Sequence, residues 1–240
     1  MTTTKALYND RKDEIEFYYQ VLFDVMSYRV DDEYEDYNID AFRSVIKTRD
    51  NSRFVRIMKS NFLVMLYNLI EACVKKGFEE IYEVLESENI SYVHASYALR
   101  DIWSNYEISN AEKSNAKDET YGKRVKSILE HVISNAPIVL SKKVIEKMAG
   151  GTLDARSIKD LLEKHEIFLK ETNPGKKERI LIVKDKRNSL AHGDESFDEA
   201  ARKLTLVDLE NIKTEVLIFI EDAIKGMERY YNNKLYRLSS

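Results

Sequence analysis

An all-α fold is the expectation for this chain, and three observations carry it. Seven Gly and two Pro in 240 residues leave too little turn chemistry for a sandwich or barrel that reverses direction every ten residues or so. Apolar residues recur at helical spacing over most of the length, and no segment shows the alternation of a strand. At 28.1 kDa, with 43% hydrophobic and 33% charged residues, the chain has the balance of an ordinary soluble globular protein and is long enough to enclose a core.

The elements follow in order. Ile15, Tyr18, Leu22, Val25 and Met26 share one helical face, which predicts a first helix over Asp10–Tyr28. The acidic, Tyr-rich stretch that follows breaks the pattern and reads as a loop. A long helix is expected over Arg53–Leu85, where Phe54, Ile57, Met58, Met65, Leu69, Val74, Phe78, Ile81 and Leu85 keep the rhythm. Between Phe62 and Val74 it is apolar nearly all round, the mark of a central buried helix. Asn68 and Glu71 interrupt that segment, and a buried polar group without a partner costs a few kcal/mol.

Further helices are expected over Ser91–Tyr106, with Tyr92 and Trp103 in the core, then over Tyr121–Ser134 and Ser141–Met148. The polar, aperiodic Glu107–Thr120 between the first two of these reads as a loop. Gly150 and Gly151 stop one helix, and Thr152 to Asp154 offer N-caps for the next, Ala155–His165. Asn173-Pro174-Gly175 is the clearest turn. The helix after it, Lys176–His192, ends at Gly193. Thr205-x-x-Asp208 has the form of a capping box with Asp at the third helical position. It opens a long amphipathic helix carrying Leu209, Ile212, Val216, Leu217, Ile220, Ile224, Met227 and Tyr231 on one side.

Composition excludes several classes of function. A net charge of −4 and a pI of about 5.7 argue against a general polyanion binder. The charge is uneven, however. Asp31, Asp32, Glu33, Glu35, Asp36 and Asp40 form an acidic run, while Lys176–Arg187 carries six positive residues against Glu178 and Asp185. Such runs are either solvated faces or local binding surfaces. The one cysteine, Cys73, excludes an internal disulfide and a cysteine-based zinc site. The first residues lack the apolar core of a signal peptide, and no run reaches the roughly 18 apolar residues of a membrane span, so a cytoplasmic protein without a membrane partner is expected.

Glycine-rich nucleotide loops, zinc-protease helices, nucleophile elbows and calcium loops are absent. His94, His131 and His165 have no chemistry-bearing neighbours and read as structural. His192 stands in Lys184-Asp185-Lys186-Arg187-Asn188-Ser189-Leu190-Ala191-His192-Gly193. An arginine lies five residues before the histidine, at the end of a basic helix, with asparagine directly after the arginine.

This R-x4-H arrangement, in the form RNxLAHG and followed by a capped TLxDLxxI helix, resembles the ribonuclease motif of the HEPN superfamily (higher eukaryote and prokaryote nucleotide-binding domains). Asn61–Glu71 resembles the long buried helix of its prokaryotic MAE-like and RiboL-PSP type branch. Gly151–Ile158 resembles the segment preceding the motif helix. The resemblance covers roughly Arg53–Tyr236 and implies a single HEPN-like domain over residues 1–240. Its N-terminal helix and acidic loop (1–50) would be variable, and a central insertion (about 87–141) matches loosely.

The resemblance implies a metal-independent endoribonuclease that needs no cofactor, works as a homodimer with paired motifs in one cleft, and leaves a 2′,3′-cyclic phosphate. Arg187, Asn188 and His192 would be catalytic. Imidazole serves as general acid or base near neutral pH, and guanidinium stabilises the charge growing on the phosphorane. Asn68 and Glu71 would either support the motif or hydrogen-bond a neighbouring helix. Asp185, Asn188, Ser189 and His192 share a stripe expected to face the cleft, although Ser189 also suits close helix approach. Lys184 and Lys186, with Lys176 and Lys177, would meet the RNA backbone.

Arg187 and His192 are about 500° apart along a helix, hence some 140° apart in direction. The arginine of one copy and the histidine of another would meet more readily than the pair within one chain, unless the helix end unwinds near Gly193. A free RNA-cutting domain endangers its host, so a toxin or antiviral defence effector with a cognate inhibitor or a trigger is expected. The competing reading is an inactive HEPN module that binds nucleotide or assembles with protein.

Overall fold

The computed structural model describes residues 1–27, 51–112, 118–148, 153, 155–170 and 177–238. The helices are α1 (Thr2–Ser27), α2 (Asn51–Ser87), α3 (Tyr97–Glu112), α4 (Asp118–Ile133), α5 (Lys142–Met148), α6 (Ala155–Lys164), α7 (Lys177–His192), α8 (Phe197–Ala200) and α9 (Leu206–Asn232). A 3-10 turn, Tyr92–His94, precedes α3. Among the described residues there is no strand; Ser91 with Pro137 and Ala95 with Arg237 form isolated bridges. The all-α expectation holds. The acidic run 31–40, the Gly150-Gly151 stop, the Thr152 and Asp154 caps and the Asn173–Gly175 turn lie outside the described residues.

The chain forms two compact units, one of Met1–Ala6, Ala72–Thr172 and Ile220–Ser240, the other of Leu7–Glu71 and Asn173–Phe219. In the first, α1 begins eight residues before its periodicity predicts, because Glu80 of α2 caps it from a distance. The Glu80 carboxylate accepts from the Thr3 and Thr4 amides at 3.0 and 3.2 Å and from the Thr4 hydroxyl at 2.5 Å. Those amides would otherwise be orphan donors, and the negative charge suits the helix's positive end.

Gly77 permits the close approach of α2 to α9: a Cβ there would stand 2.5 Å from the Met227 sulfur. Phe78, Ile81, Leu85, Leu161, Leu162, Ile224, Met227 and Tyr230 fill this unit's core, each large side chain contributing roughly 1.5–3 kcal/mol on burial. His165 is fully enclosed among them, ring to ring with Phe78 at 4.4 Å. At the last α9 position the buried tyrosine is Tyr230, with Tyr231 only half-buried. Glu107–Glu112, expected as loop, extends α3, and the Trp103 of that helix is buried against the Tyr92 and His131 rings.

In the second unit, Tyr8, Ile15 and Leu22 of α1 repeat every seven residues and are buried. Tyr18 and Tyr19 pack on Phe62 at ring distances of 6.2 and 5.5 Å. Leu63, Leu66, Tyr67 and Ile70 of α2, Ile180 and Val183 of α7, and Leu209, Ile212 and Val216 of α9 complete the core. The capping box forms as expected. Asp208 accepts from the Thr205 amide at 2.8 Å and hydroxyl at 2.7 Å, and its own amide donates to the Thr205 hydroxyl at 3.1 Å.

Just before this box the buried Lys59 reaches the Leu204 carbonyl at 2.6 Å. Burial pulls its ammonium below the ordinary lysine range, helped by nearby Arg56.

Among the described residues, α2 is the one helix long and apolar enough to cross a bilayer, and 61% of its apolar window is buried in the molecule.

Candidate active site

The motif lies on α7, in the second unit. Ile180 and Val183 are buried, and Arg187 falls on the same stripe, three and four residues further along each time. A second stripe, Leu181, Asp185, Asn188 and His192, faces outward: Leu181, Asp185 and His192 are exposed and Asn188 is half-buried. The helix stays regular through His192 and ends in a Schellman motif. Gly193 takes φ +77, a conformation that favours glycine. Its amide donates to the Leu190 carbonyl at 3.4 Å, and the Asp194 amide donates to that of Ser189 at 2.9 Å.

The geometry separates the two motif side chains. Arg187 turns inward: its guanidinium carbon sits 4.5 Å from the centre of the Tyr67 ring, and its Nη1 donates to the Asn188 Oδ1 at 3.1 Å. His192 projects from the last turn, exposed, and its imidazole makes no hydrogen bond to any described residue. The unwinding that would bring both onto one face within a chain does not occur.

The other expected residues fall as follows. Ser189 is half-buried, and its carbonyl, which accepts from Asp194 and from Glu195 at 3.3 Å, is its clearest structural contribution. Lys184 is half-buried. Lys186 is ion-paired with Glu195, its ammonium 2.7 and 2.9 Å from the two carboxylate oxygens. Asn68 corrects an expectation: it is exposed, and Val64, Met65 and Glu71 on the same side of α2 are only half-buried. An exposed amide is open to solvent, so the apolar neighbours in sequence imposed no need for a protein partner. Lys176 and the Lys177 side chain lie outside the described residues.

Two contributors had escaped the sequence. Tyr67 reads there as one more apolar residue of a buried helix, and only its contact with Arg187 distinguishes it. Glu195 follows the motif by three residues, and the Gly193 turn alone aims it back at Lys186. A cationic cluster accompanies them in the same unit. The Arg56 Nε donates to Asp198 at 2.7 Å and holds that carboxyl below its ordinary range, with Arg53 and Arg202 adding to the effect. Arg53 and Arg202 are exposed. No group of three His, Cys, Asp or Glu positioned for a metal occurs among the described residues.

Chemically, the arrangement offers an accessible imidazole and a fixed guanidinium on opposite sides of one helix end. In comparison with known protein families, the model described as MAE_28990-like HEPN matches residues 9–236. No curated protein and no solved structure matches the chain.

Proposed function

Because the chain belongs to the MAE_28990-like HEPN family, we propose that it is a metal-independent endoribonuclease whose cleft is completed by a second copy of the chain. The observation that carries this reading is the split of the motif across α7, with Arg187 stacked inward on Tyr67 and His192 exposed on the outward stripe. Within one chain the two residues leave α7 some 140° apart in direction, poorly placed to meet on one phosphate. Two copies related by a two-fold axis near α7 bring the Arg187 of each toward the His192 of the other.

The chemistry follows from the residues. His192 takes the proton from a ribose 2′-hydroxyl, or delivers one to the departing 5′-oxygen. The 2′-oxygen attacks phosphorus and the P–O5′ bond breaks, leaving a 2′,3′-cyclic phosphate and a 5′-hydroxyl. Arg187 and the Asn188 amide bind the phosphoryl oxygens as their charge grows. Since Lys186 is held by Glu195, the exposed Arg53 and Arg202 are the better candidates for the RNA backbone. The hazard of such a reaction to the cell favours a toxin or defence effector under control of a partner.

The test is single-stranded RNA incubated with the purified protein in EDTA, beside His192→Ala and Arg187→Ala. Wild-type cleavage to cyclic-phosphate ends is expected, with both variants inactive and still dimeric. An equimolar mixture of the two variants should recover activity, because a mixed dimer retains one intact Arg187–His192 pair. RNA binding without cleavage would instead identify an inactive HEPN module. Loss of activity on metal removal would refute the mechanism.

A further inference from the structure

We propose that Tyr67 is the positioning residue of the motif: its ring holds the Arg187 guanidinium, which in turn orients Asn188, so that the two present a ready donor set to a phosphate. This rests on the reading above and deepens it.

The argument starts from burial. Tyr67 is 1% exposed, among Leu63, Leu66 and Ile70 of its own helix, all fully buried. Its ring is therefore a fixed surface, whereas a free arginine side chain samples many rotamers. With its guanidinium carbon 4.5 Å from the ring centre, Arg187 is attracted by the ring's negative face and confined by it. The confinement happens before any substrate arrives, which is the condition for effective stabilisation of a transition-state charge.

The second link is the bond from Arg187 to Asn188 Oδ1 at 3.1 Å. A guanidinium has donors only, so the amide must offer its oxygen to it, and both hydrogens of the amide NH2 stay available to another acceptor. Without the ring, the guanidinium and the amide would each sample several rotamers. With it, Arg187 N–H groups and the Asn188 NH2 form one array that suits phosphate oxygens. A core role alone would need any apolar side chain at position 67; this role needs a ring.

Three variants separate the two cases. Tyr67→Phe loses only the hydroxyl, Tyr67→Leu loses the ring, and pentafluorophenylalanine at position 67 keeps the ring's shape while reversing the charge of its face. The last serves if Tyr67→Leu does not fold.

The first readout is the Arg187 Nε–Hε signal in a proton–nitrogen spectrum, identified by its disappearance in Arg187→Lys. It should be ring-shielded in the wild type and Tyr67→Phe, and return to the free-arginine position in Tyr67→Leu or the fluorinated protein. Titrated inorganic phosphate should shift it in the first pair and at least tenfold more weakly in the second.

The second readout is RNA cleavage. Tyr67→Phe should stay within twofold of wild type. Tyr67→Leu should lose tenfold or more in kcat with KM nearly unchanged. An unmoved signal in folded Tyr67→Leu, or wild-type kcat in that variant, would each overturn the proposal. A wild-type protein that cuts no RNA sinks the nuclease reading instead, and the spectral and phosphate readouts then decide the role of Tyr67 by themselves.

Discussion

The enclosed His165 makes this protein's stability depend on pH in a calculable way. Its Nδ1 lies 2.7 Å from the Leu161 carbonyl and its Nε2 lies 2.7 Å from the Tyr82 hydroxyl. A carbonyl only accepts, so Nδ1 carries the proton and Nε2 accepts from Tyr82. Adding a second proton would bury a charge and strip the Tyr82 hydroxyl of its acceptor. Burial accordingly pulls the His165 pKa from 6.5 down to about 4, against a raising contribution from the Leu161 carbonyl and with a further lowering one from Lys164.

Below pH 6.5 the unfolded chain binds a proton that the folded chain refuses, so stability falls with pH through that window and levels off near pH 4. The full difference corresponds to about 3 kcal/mol, of which about 2 kcal/mol is lost between pH 7.5 and pH 5. Trp103, the single tryptophan, is buried in the same unit, so urea unfolding followed by its fluorescence reads this effect directly. His165→Gln keeps an acceptor for Tyr82 but does not titrate, and should lose far less on acidification. Equal losses in wild type and His165→Gln would refute the assignment.

Three further outcomes are expected. Gly193→Ala meets no atom within 4 Å but must hold φ +77, so it should cost about 1 kcal/mol in chemical denaturation, with no loss beyond that if sterics are truly absent. Lys59→Met leaves the Leu204 carbonyl without its buried donor and should destabilise by roughly 1–3 kcal/mol, read as a lowered urea midpoint. Glu195→Gln releases Lys186 from its ion pair. In a His192→Ala background it should tighten single-stranded RNA binding and steepen the log–log salt dependence by about 0.7, measured by fluorescence anisotropy; an unchanged slope would show that Lys186 does not reach the RNA.

The fold was largely legible in sequence because its elements are long and strongly periodic. Helical spacing placed α2, α7 and α9 within a few residues of their ends, and Thr205-x-x-Asp208 announced its cap because that bond is local. The start of α1 was not legible, since the carboxylate that caps it belongs to Glu80, more than seventy residues away. The four-residue α8, with Ser196 and Glu199 closing its own capping box, is too short for a period to show.

At the candidate site the division is sharper. The sequence alone supplied the identities: an arginine, an asparagine and a histidine at fixed spacing on a basic helix ending in glycine, together with the angle of about 140° that separates the outer two. Which of them turns inward was not in the spacing. That depended on which stripe of α7 Ile180 and Val183 would bury, and burial belongs to the packed whole. Tertiary structure therefore decided that Arg187 meets Tyr67, that Asn68 faces water and that Glu195 neutralises Lys186. Periodicity and capping act over three or four residues and are written in sequence; a ring beneath a guanidinium joins positions 120 residues apart, and only the folded chain brings them together.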